Sequence, residues 1–405
     1  MNAQAVPAIP PPSPTPPNHS LRELALFFLR LGTTAFGGPA AHIAIMEDEL
    51  VRRRQWLSRE KFLDLLGASN LIPGPSSSEL AIHIGYLRAG WKGLLVAGIC
   101  FISPAALIVG ILAWAYVRYG SLPVTLAILY GVKPVVIAVI VQALWGLGRT
   151  AIKTAWLAIV GIASLILAFL GLHPLLLLLI AGLAVCFTRI RPSQFRSAHL
   201  SLSTLSLSSL PATSLVVSVA NVTTAAAFSL PLLFLLFLKV GALMFGSGYV
   251  LLAFLRADFV VHHAWLTDPQ LADAVAVGQL TPGPVFTTAT FVGYLLAGIP
   301  GAVVATVAIF LPAFLLVAVS GPLIPRIRGS KIAAAFLDGV NVASLALMAE
   351  VTWQLGRTSL VDGVTIVSAI ISLAILLRFR WNSIWLLLIG AIVGMLAGIH
   401  GHHFW

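Results

Sequence analysis

The chain has 405 residues, of which 59% are hydrophobic and only 9% charged, with a mean hydropathy of +1.00 and a formal net charge of +11. A soluble domain carries roughly a quarter charged residues, so the composition excludes a soluble fold and indicates an integral membrane protein with the lipid bilayer as its solvent. The basic residues sit in short loops between apolar runs, not along one helix face, which excludes a nucleic-acid partner and fits topology signals instead.

In chain order, residues 1–21 form a Pro-rich stretch that lacks the basic and apolar regions of a cleaved signal and reads as a disordered tail. The first unit, residues 22–190, opens with an apolar segment that carries Arg30 several residues inside it and ends at Gly37-Gly38-Pro39. Glu47, Asp48 and Glu49 beside Arg52, Arg53 and Arg54 then read as an amphipathic helix at the membrane surface, anchored by Trp56. Within Gly67 to Leu87, Pro73-Gly74-Pro75 must open the backbone, because each proline removes a donor and clashes with the preceding turn. Basic residues flank the break on both sides, Arg52 to Lys61 and then Arg88 and Lys92, which predicts a re-entrant hairpin with the break near its tip. The uncharged run Gly93 to Val117 meets the ~20 apolar residues of a span, and Thr154 to Thr188 suits a hairpin of two short spans. Cys100 and Cys186 lie inside apolar stretches without metal or disulfide spacing and read as packing residues. Residues 191–230 form a Ser/Thr-rich linker, whose part Leu215 to Ala227 is apolar enough to be an extra span, and residues 231–405 form the second unit.

The two units are copies. Leu29-Arg30-Leu31-Gly32 with Phe36-Gly37 recurs as Leu238-Lys239-Val240-Gly241 with Phe245-Gly246, and at the same offset Glu49 meets Asp258, Trp56 meets Trp265 and Asp64 meets Asp273. Asn70-Leu71-Ile72-Pro73-Gly74-Pro75 recurs as Gln279-Leu280-Thr281-Pro282-Gly283-Pro284, and after a one-residue deletion Gly85, Gly93, Pro104 and Arg149 match Gly293, Gly301, Pro312 and Arg357. Chance similarity between apolar segments would not keep Trp, Pro and charge in register.

Basic loops stay cytoplasmic, and they lie at opposite places in the two copies. Arg52, Arg53, Arg54, Arg59 and Lys61, then Arg149 and Lys153, then Arg189, Arg191 and Arg196 mark the first copy; Arg326, Arg328 and Lys331, then Arg378 and Arg380, mark the loops that are poorer there. The expected fold is therefore an all-α polytopic membrane protein of two inverted-topology repeats, each with five transmembrane helices plus the broken Pro-Gly-Pro segment, and with both termini outside.

The chemistry gathers at the breaks. Each broken helix restarts with hydroxyls and free backbone amides, Ser76, Ser77 and Ser78 in one copy and Thr287 and Thr288 in the other, and a helix N-terminus of this kind suits an anion. The alternative is a packing kink with capping hydroxyls; the pairing of interrupted segments favours a site. Arg30 and Lys239, at equivalent depths, either complement one dianion across the repeat axis or snorkel to the interface. Glu79 beside the first break and Glu350 in a long apolar segment are candidates for proton coupling, or else ion-pair partners of Lys133 or Arg357. His262 and His263 have no third ligand nearby, so no metal site and no cofactor is expected.

Phe36-Gly37-Gly38-Pro39 with Ala41-His42-Ile43, Arg53-Arg54-Gln55-Trp56-Leu57 and Asn70-Leu71-Ile72-Pro73-Gly74-Pro75-Ser76-Ser77 resemble the chromate ion transporter family. Phe245-Gly246-Ser247-Gly248-Tyr249, Gly278-Gln279-Leu280-Thr281-Pro282-Gly283-Pro284 and Phe310-Leu311-Pro312 resemble its second repeat. The resemblance implies a two-domain member located in the cell membrane that carries chromate, usually as efflux giving resistance, with some relatives linked to sulfate. It carries over Arg30, Gly37, Gly38, Pro39, Asn70, Pro73, Gly74, Pro75 and Glu79, with Lys239, Pro282, Gly283 and Pro284 in the second copy. Ser76, Ser77, Gln279 and Thr287 complete the expected oxyanion site. A sulfate carrier and a passive anion channel are the alternatives within transport; an embedded enzyme would need a nucleophile with its base or a zinc motif, and neither is present. The sequence leaves a single copy and a homodimer both open.

Overall fold

Proline and glycine mark several of the helix ends of this chain, and Ser and Thr cap several of the starts. The computed structural model describes residues 21–189, 228–245, 248–320, 330–379 and 381–399, and every regular element among them is helical. The expected tail, most of the linker with its extra span Leu215 to Ala227, and Arg191, Arg196, Gly246, Ser247, Arg326, Arg328 and Arg380 lie outside the described residues.

The first copy comprises α1 (Leu21–Thr34), α2 (Gly38–Glu47) continued by a π-helical turn (Asp48–Arg53), α3 (Arg59–Ser69), α4 (Ser76–Tyr119), α5 (Pro123–Ala151), α6 (Ala155–Phe169) and α7 (Pro174–Arg189). The second comprises α8 (Leu230–Leu243), α9 (Leu251–Leu255) with a π-helical turn (Arg256–His262), α10 (Asp268–Leu280), α11 (Thr288–Ser320), α12 (Lys331–Ser359), α13 (Gly363–Phe379) and α14 (Ser383–Ile399). Side-chain caps set the starts: Ser58 accepts from the Lys61 amide, Thr154 from Leu157, and Thr267 forms a capping box with Gln270. Among the described residues, four helices, α4, α5, α11 and α12, are long and apolar enough to cross a membrane, and α6, α7, α8, α13 and α14 are shorter apolar helices. Thr154 to Thr188 thus resolves into the helical hairpin α6–α7, with Gly171 in the left-handed region at its turn.

One reversal escapes a reading of the sequence. Ala89 and Gly90 leave helical geometry inside α4, as Ala297 and Gly298 do inside α11, with nearly the same angles in both copies. The chain folds back so tightly that a Cβ on Gly85 would overlap the backbone of Gly93, and one on Gly293 that of Gly301. Gly90 at φ 57° and Gly298 at φ 60° supply the backbone freedom, since other residues reach that region only with strain.

The copies are interlocked. α1 packs on α4 and α8 on α11, while α4 and α11 pack together between them. The terminal hairpins cross over: α13 and α14 pack on α5 of the first copy, and α6 and α7 on α12 of the second. Small residues allow the close crossings, with Gly131 against Gly390 and Gly394 on one side and Gly339 against Ala181 and Gly182 on the other. Without a hydrophobic drive between helices in lipid, such backbone approach and the dispersion it permits hold helices together. Polar ties follow the same exchange: Tyr130 on α5 donates to Asp362 at 2.5 Å, and Lys153 after α5 pairs with Asp338 on α12 at 2.9 Å. Leu107, Ile111, Ile370 and Trp385 are exposed, an apolar exterior that water would not tolerate and lipid accepts.

At the expected surface segment, Arg53 pairs with Asp48 at 2.9 Å, Arg54 with Glu49 at 3.3 Å, and the Arg88 guanidinium sits 3.8 Å from the centroid of the Trp56 ring. These are exposed pairs of small energetic weight; the stacked Trp56 ring fixes where the chain enters α3.

Candidate functional site

Each Pro-Gly-Pro break interrupts a helical path at the same place in its copy. α3 ends at Ser69 with Asn70 as its exposed C-cap, and α4 starts at Ser76 behind Pro75, whose ψ of 92° is extended. In the second copy α10 ends at Leu280, and a short 3₁₀ turn, Val285–Thr287, precedes α11. Gly74 at φ 143° and Gly283 at φ 90° stand at the centres of the breaks. A Cβ on Gly283 would lie 2.7 Å from Cβ of Ala105 and 3.1 Å from the Gly32 carbonyl oxygen, so this glycine is held between α1 and α4.

The breaks are joined to the opposite copies by matched hydrogen bonds. The Gly74 amide donates to the Met244 carbonyl at 2.7 Å, and the Gly283 amide to the Ala35 carbonyl at 2.9 Å. Met244 and Ala35 are equivalent residues, the first non-helical positions after α8 and α1. Each break thus satisfies an open helix end in the other copy, a strong demand where water cannot. It also means that these two amides are committed to protein and not free for an anion.

Around this junction the expected site residues sort into groups. Gly38 and Pro39 lie against the second copy, near the Tyr249 hydroxyl and Gly248 respectively, and Gly37 caps α2 at φ 102°. Pro75, Pro282 and Pro284 are buried and Pro73 partly so. Ser78 and Glu79 donate their amides back to the Pro75 carbonyl at 2.8 and 2.9 Å, which leaves the amides of Ser76 and Ser77 as the open donors of the first helix turn. The expected free hydroxyls of the second copy are spent: Thr287 donates to the Pro284 carbonyl and Thr288 to that of Val285, each at 2.8 Å. Gln279 accepts from the Tyr249 hydroxyl at 3.5 Å, while its buried amide nitrogen has no partner among the described residues.

The cations separate. Arg30 is on the exposed face of α1, whereas Lys239 forms an ion pair with buried Asp258 at 2.6 Å. Glu350 pairs with Arg256 at 3.6 Å, not with Lys133 or Arg357 as the sequence suggested, because the π-helical turn after α9 brings Arg256 between Asp268 and Glu350. Lys133 reaches across to Asp273 on α10 at 2.8 Å, and Tyr116 of α4 donates to the same carboxylate at 2.8 Å. This cluster ties three elements from both copies at a point well inside the helices.

His42 has no role in the sequence reading beyond its place in a motif, and the structure gives it one. It is fully buried, with one ring nitrogen 3.4 Å from the Ser77 hydroxyl and the other 3.2 Å from the Ala35 carbonyl, the same oxygen that receives the Gly283 amide. One imidazole therefore connects the restart of the first broken helix to the second break. Its counterpart in the second copy is Leu251, so the connection exists once.

Comparison with known proteins agrees with this two-fold layout. The sequence model of the family described as "Chromate transporter" matches twice, over residues 22–186 and 232–395. The chain belongs to the chromate transporter family. The chromate transport protein of Cupriavidus metallidurans is 35% identical over 96% of both chains, and the probable chromate transport protein of Synechococcus elongatus is 35% identical over 88% of this chain and 90% of its own. The uncharacterized transporter YwrA of Bacillus subtilis is 32% identical over 40% of this chain and 92% of its own length, so a relative exists that is the size of one copy. No solved structure matches the chain at a significant level. With its apolar helices, this family member is a multi-pass membrane protein of the long, two-repeat type.

Proposed function

We propose that the protein carries chromate out of the cell across the cell membrane and thereby confers chromate resistance, with the dianion bound between the two Pro-Gly-Pro breaks. The observation that carries the reading is the reciprocal joining of those breaks, Gly74 to Met244 and Gly283 to Ala35, with the open Ser76 and Ser77 amides just after the first break and the unpartnered Gln279 amide just before the second. Relatives named for chromate transport supply the substrate class. The repeats act as inverted halves that rock about the junction, so that the anion is exposed to one side and then the other.

Arg30, exposed and without an ion-pair partner among the described residues, attracts the anion; Lys239, paired with Asp258, serves the second copy as a structural cation that a passing anion can borrow. A potential of 100 mV, negative inside, assists the exit of a dianion by about 4.6 kcal/mol, at ~2.3 kcal/mol per charge. Uptake against that field would require at least three protons per dianion.

Chromate flux in inverted vesicles with an imposed potential, with and without excess sulfate, tests the reading. Saturable, potential-driven chromate accumulation that falls in Arg30→Ala supports it. Absence of chromate movement, or preferential movement of sulfate, which has the same charge and shape, would replace chromate with another oxyanion.

A further inference from the structure

The first break contains a buried acid whose carboxyl group makes no hydrogen bond to the groups proposed to hold the anion. Glu79, in the first turn of α4, is fully buried, and neither carboxyl oxygen has a hydrogen-bond partner or an ion pair among the described residues. One of its oxygens lies so close to Gly74 that a Cβ there would collide with it, so the carboxyl group sits inside the break itself. His83 follows one helical turn later on the same face, 5% exposed and with an unpartnered Nε2, and the Ser78 hydroxyl between the break and His83 is also unpartnered.

The titratable groups on the packed elements do not neutralise this acid. On α1, Arg22, Glu23 and Arg30 are exposed, as are Glu60 and Lys61 on α3. Glu47 of α2 holds Arg59, and His42 is committed to Ala35 and Ser77. On α10, Asp268 is held by Arg256 and Asp273 by Lys133 and Tyr116. Asp64 on α3, Tyr294 on α11, and Tyr86 and Arg88 on the same helix make no bond to Glu79, and Arg88 is stacked on Trp56.

An ionised carboxylate shut away from water without a donor or a cation is strongly disfavoured, and such a group holds a proton instead. The second copy has Thr287, Thr288, Phe291 and Val292 in the corresponding stretch, so the acid and the imidazole belong to one break only. We infer that Glu79 is a proton-binding site coupled to the oxyanion: the anion occupies the junction only while Glu79 is protonated. When the junction opens outward, the Glu79 carboxyl releases its proton to the water on that side, directly or through the unpartnered Nε2 of His83, which is left neutral. The carboxylate left behind repels the dianion next to it and expels it. One proton then accompanies each dianion, and the pair still carries one net negative charge outward. This inference rests on the oxyanion reading of the junction, but the proton on Glu79 does not.

Two measurements on the full-length protein in lipid nanodiscs test it. Infrared difference spectra across a pH titration should contain the carbonyl stretch of a protonated, buried carboxylic acid that disappears in Glu79→Gln and persists in Glu350→Gln. Chromate affinity, measured over a pH range in which free chromate stays a dianion, should fall by up to about tenfold per pH unit in the wild type, be flat in Glu79→Gln and regain its slope in Glu79→Asp. Absence of the band in the wild type, its survival in Glu79→Gln, or a wild-type pH slope in that variant would overturn the inference. A wild type that shows the band but binds no chromate at any pH would overturn the coupling and the oxyanion reading together, leaving the proton on Glu79 established.

Discussion

Replacing Gly283 by Ala perturbs the second break at one atom. The residue stands at φ 90°, where an added Cβ costs about 1–2 kcal/mol by local sterics alone. The same Cβ would lie 2.7 Å from Cβ of Ala105 and 3.1 Å from the Gly32 oxygen, and overpacking of that kind costs typically 1–3 kcal/mol. The hydrogen bond from residue 283 to Ala35 is a backbone bond that alanine can keep, so the expected total is roughly 2–5 kcal/mol. A thermal or denaturant unfolding series in detergent measures this, and adding Ala105→Gly should return the part of the overlap due to the Ala105 methyl, less the roughly 0.5–1 kcal/mol that glycine costs inside α4, while the Gly32 contact and the backbone strain stay. Gly283→Ala with wild-type stability and wild-type chromate flux would refute the tight junction on which the proposed site depends.

Other outcomes follow from single contacts. Lys133→Met leaves Asp273 buried with only Tyr116 and should cost about 3–5 kcal/mol, whereas Lys133→Met with Asp273→Asn together should cost less than the sum in a double-mutant cycle followed by unfolding. Gly146→Ala, where an added methyl would meet nothing within 4 Å inside α5, should leave stability unchanged or raise it by up to about 1 kcal/mol, and unfolding midpoints check it. His173, exposed in the turn before α7, is pushed below its ordinary value near 6.5 by partial desolvation there, with Lys239 and His262 nearby adding to it, so the unfolded chain binds the proton more readily than the folded one. Stability should therefore decline as pH falls through that range, and His173→Gln should remove that part of the decline in a pH series of unfolding midpoints.

The sequence makes the duplication and the breaks legible for a physical reason. Glycine, proline and tryptophan cannot be exchanged freely in a packed membrane helix, so Pro73-Gly74-Pro75 and Pro282-Gly283-Pro284 stay in register while the leucines around them drift. The family resemblance through Phe36 to Pro39 and Asn70 to Ser77 rests on the same residues. The crossing of the hairpins is not legible, because Gly131, Gly182, Gly339 and Gly390 look like any small residues in apolar runs until their partners are known. The reversal at Gly90 sits in a stretch whose pattern reads as continuous helix. Ion-pair partners fared worst: Lys133 and Glu350 were plausible mates by charge, yet helix packing gives each a different partner, Asp273 and Arg256. His42 carried no spacing signal at all, since a lone histidine among alanine and isoleucine does not announce which carbonyl it will meet.

The central claim is that both breaks contribute to one oxyanion site per chain. Isothermal calorimetry of chromate on the purified protein in nanodiscs tests it most directly, comparing wild type with Ser77→Ala at the first break and Gln279→Leu at the second. One chromate should bind per chain, with affinity lowered by either substitution alone. Two chromates per chain, or binding untouched by one of the two substitutions, would contradict it.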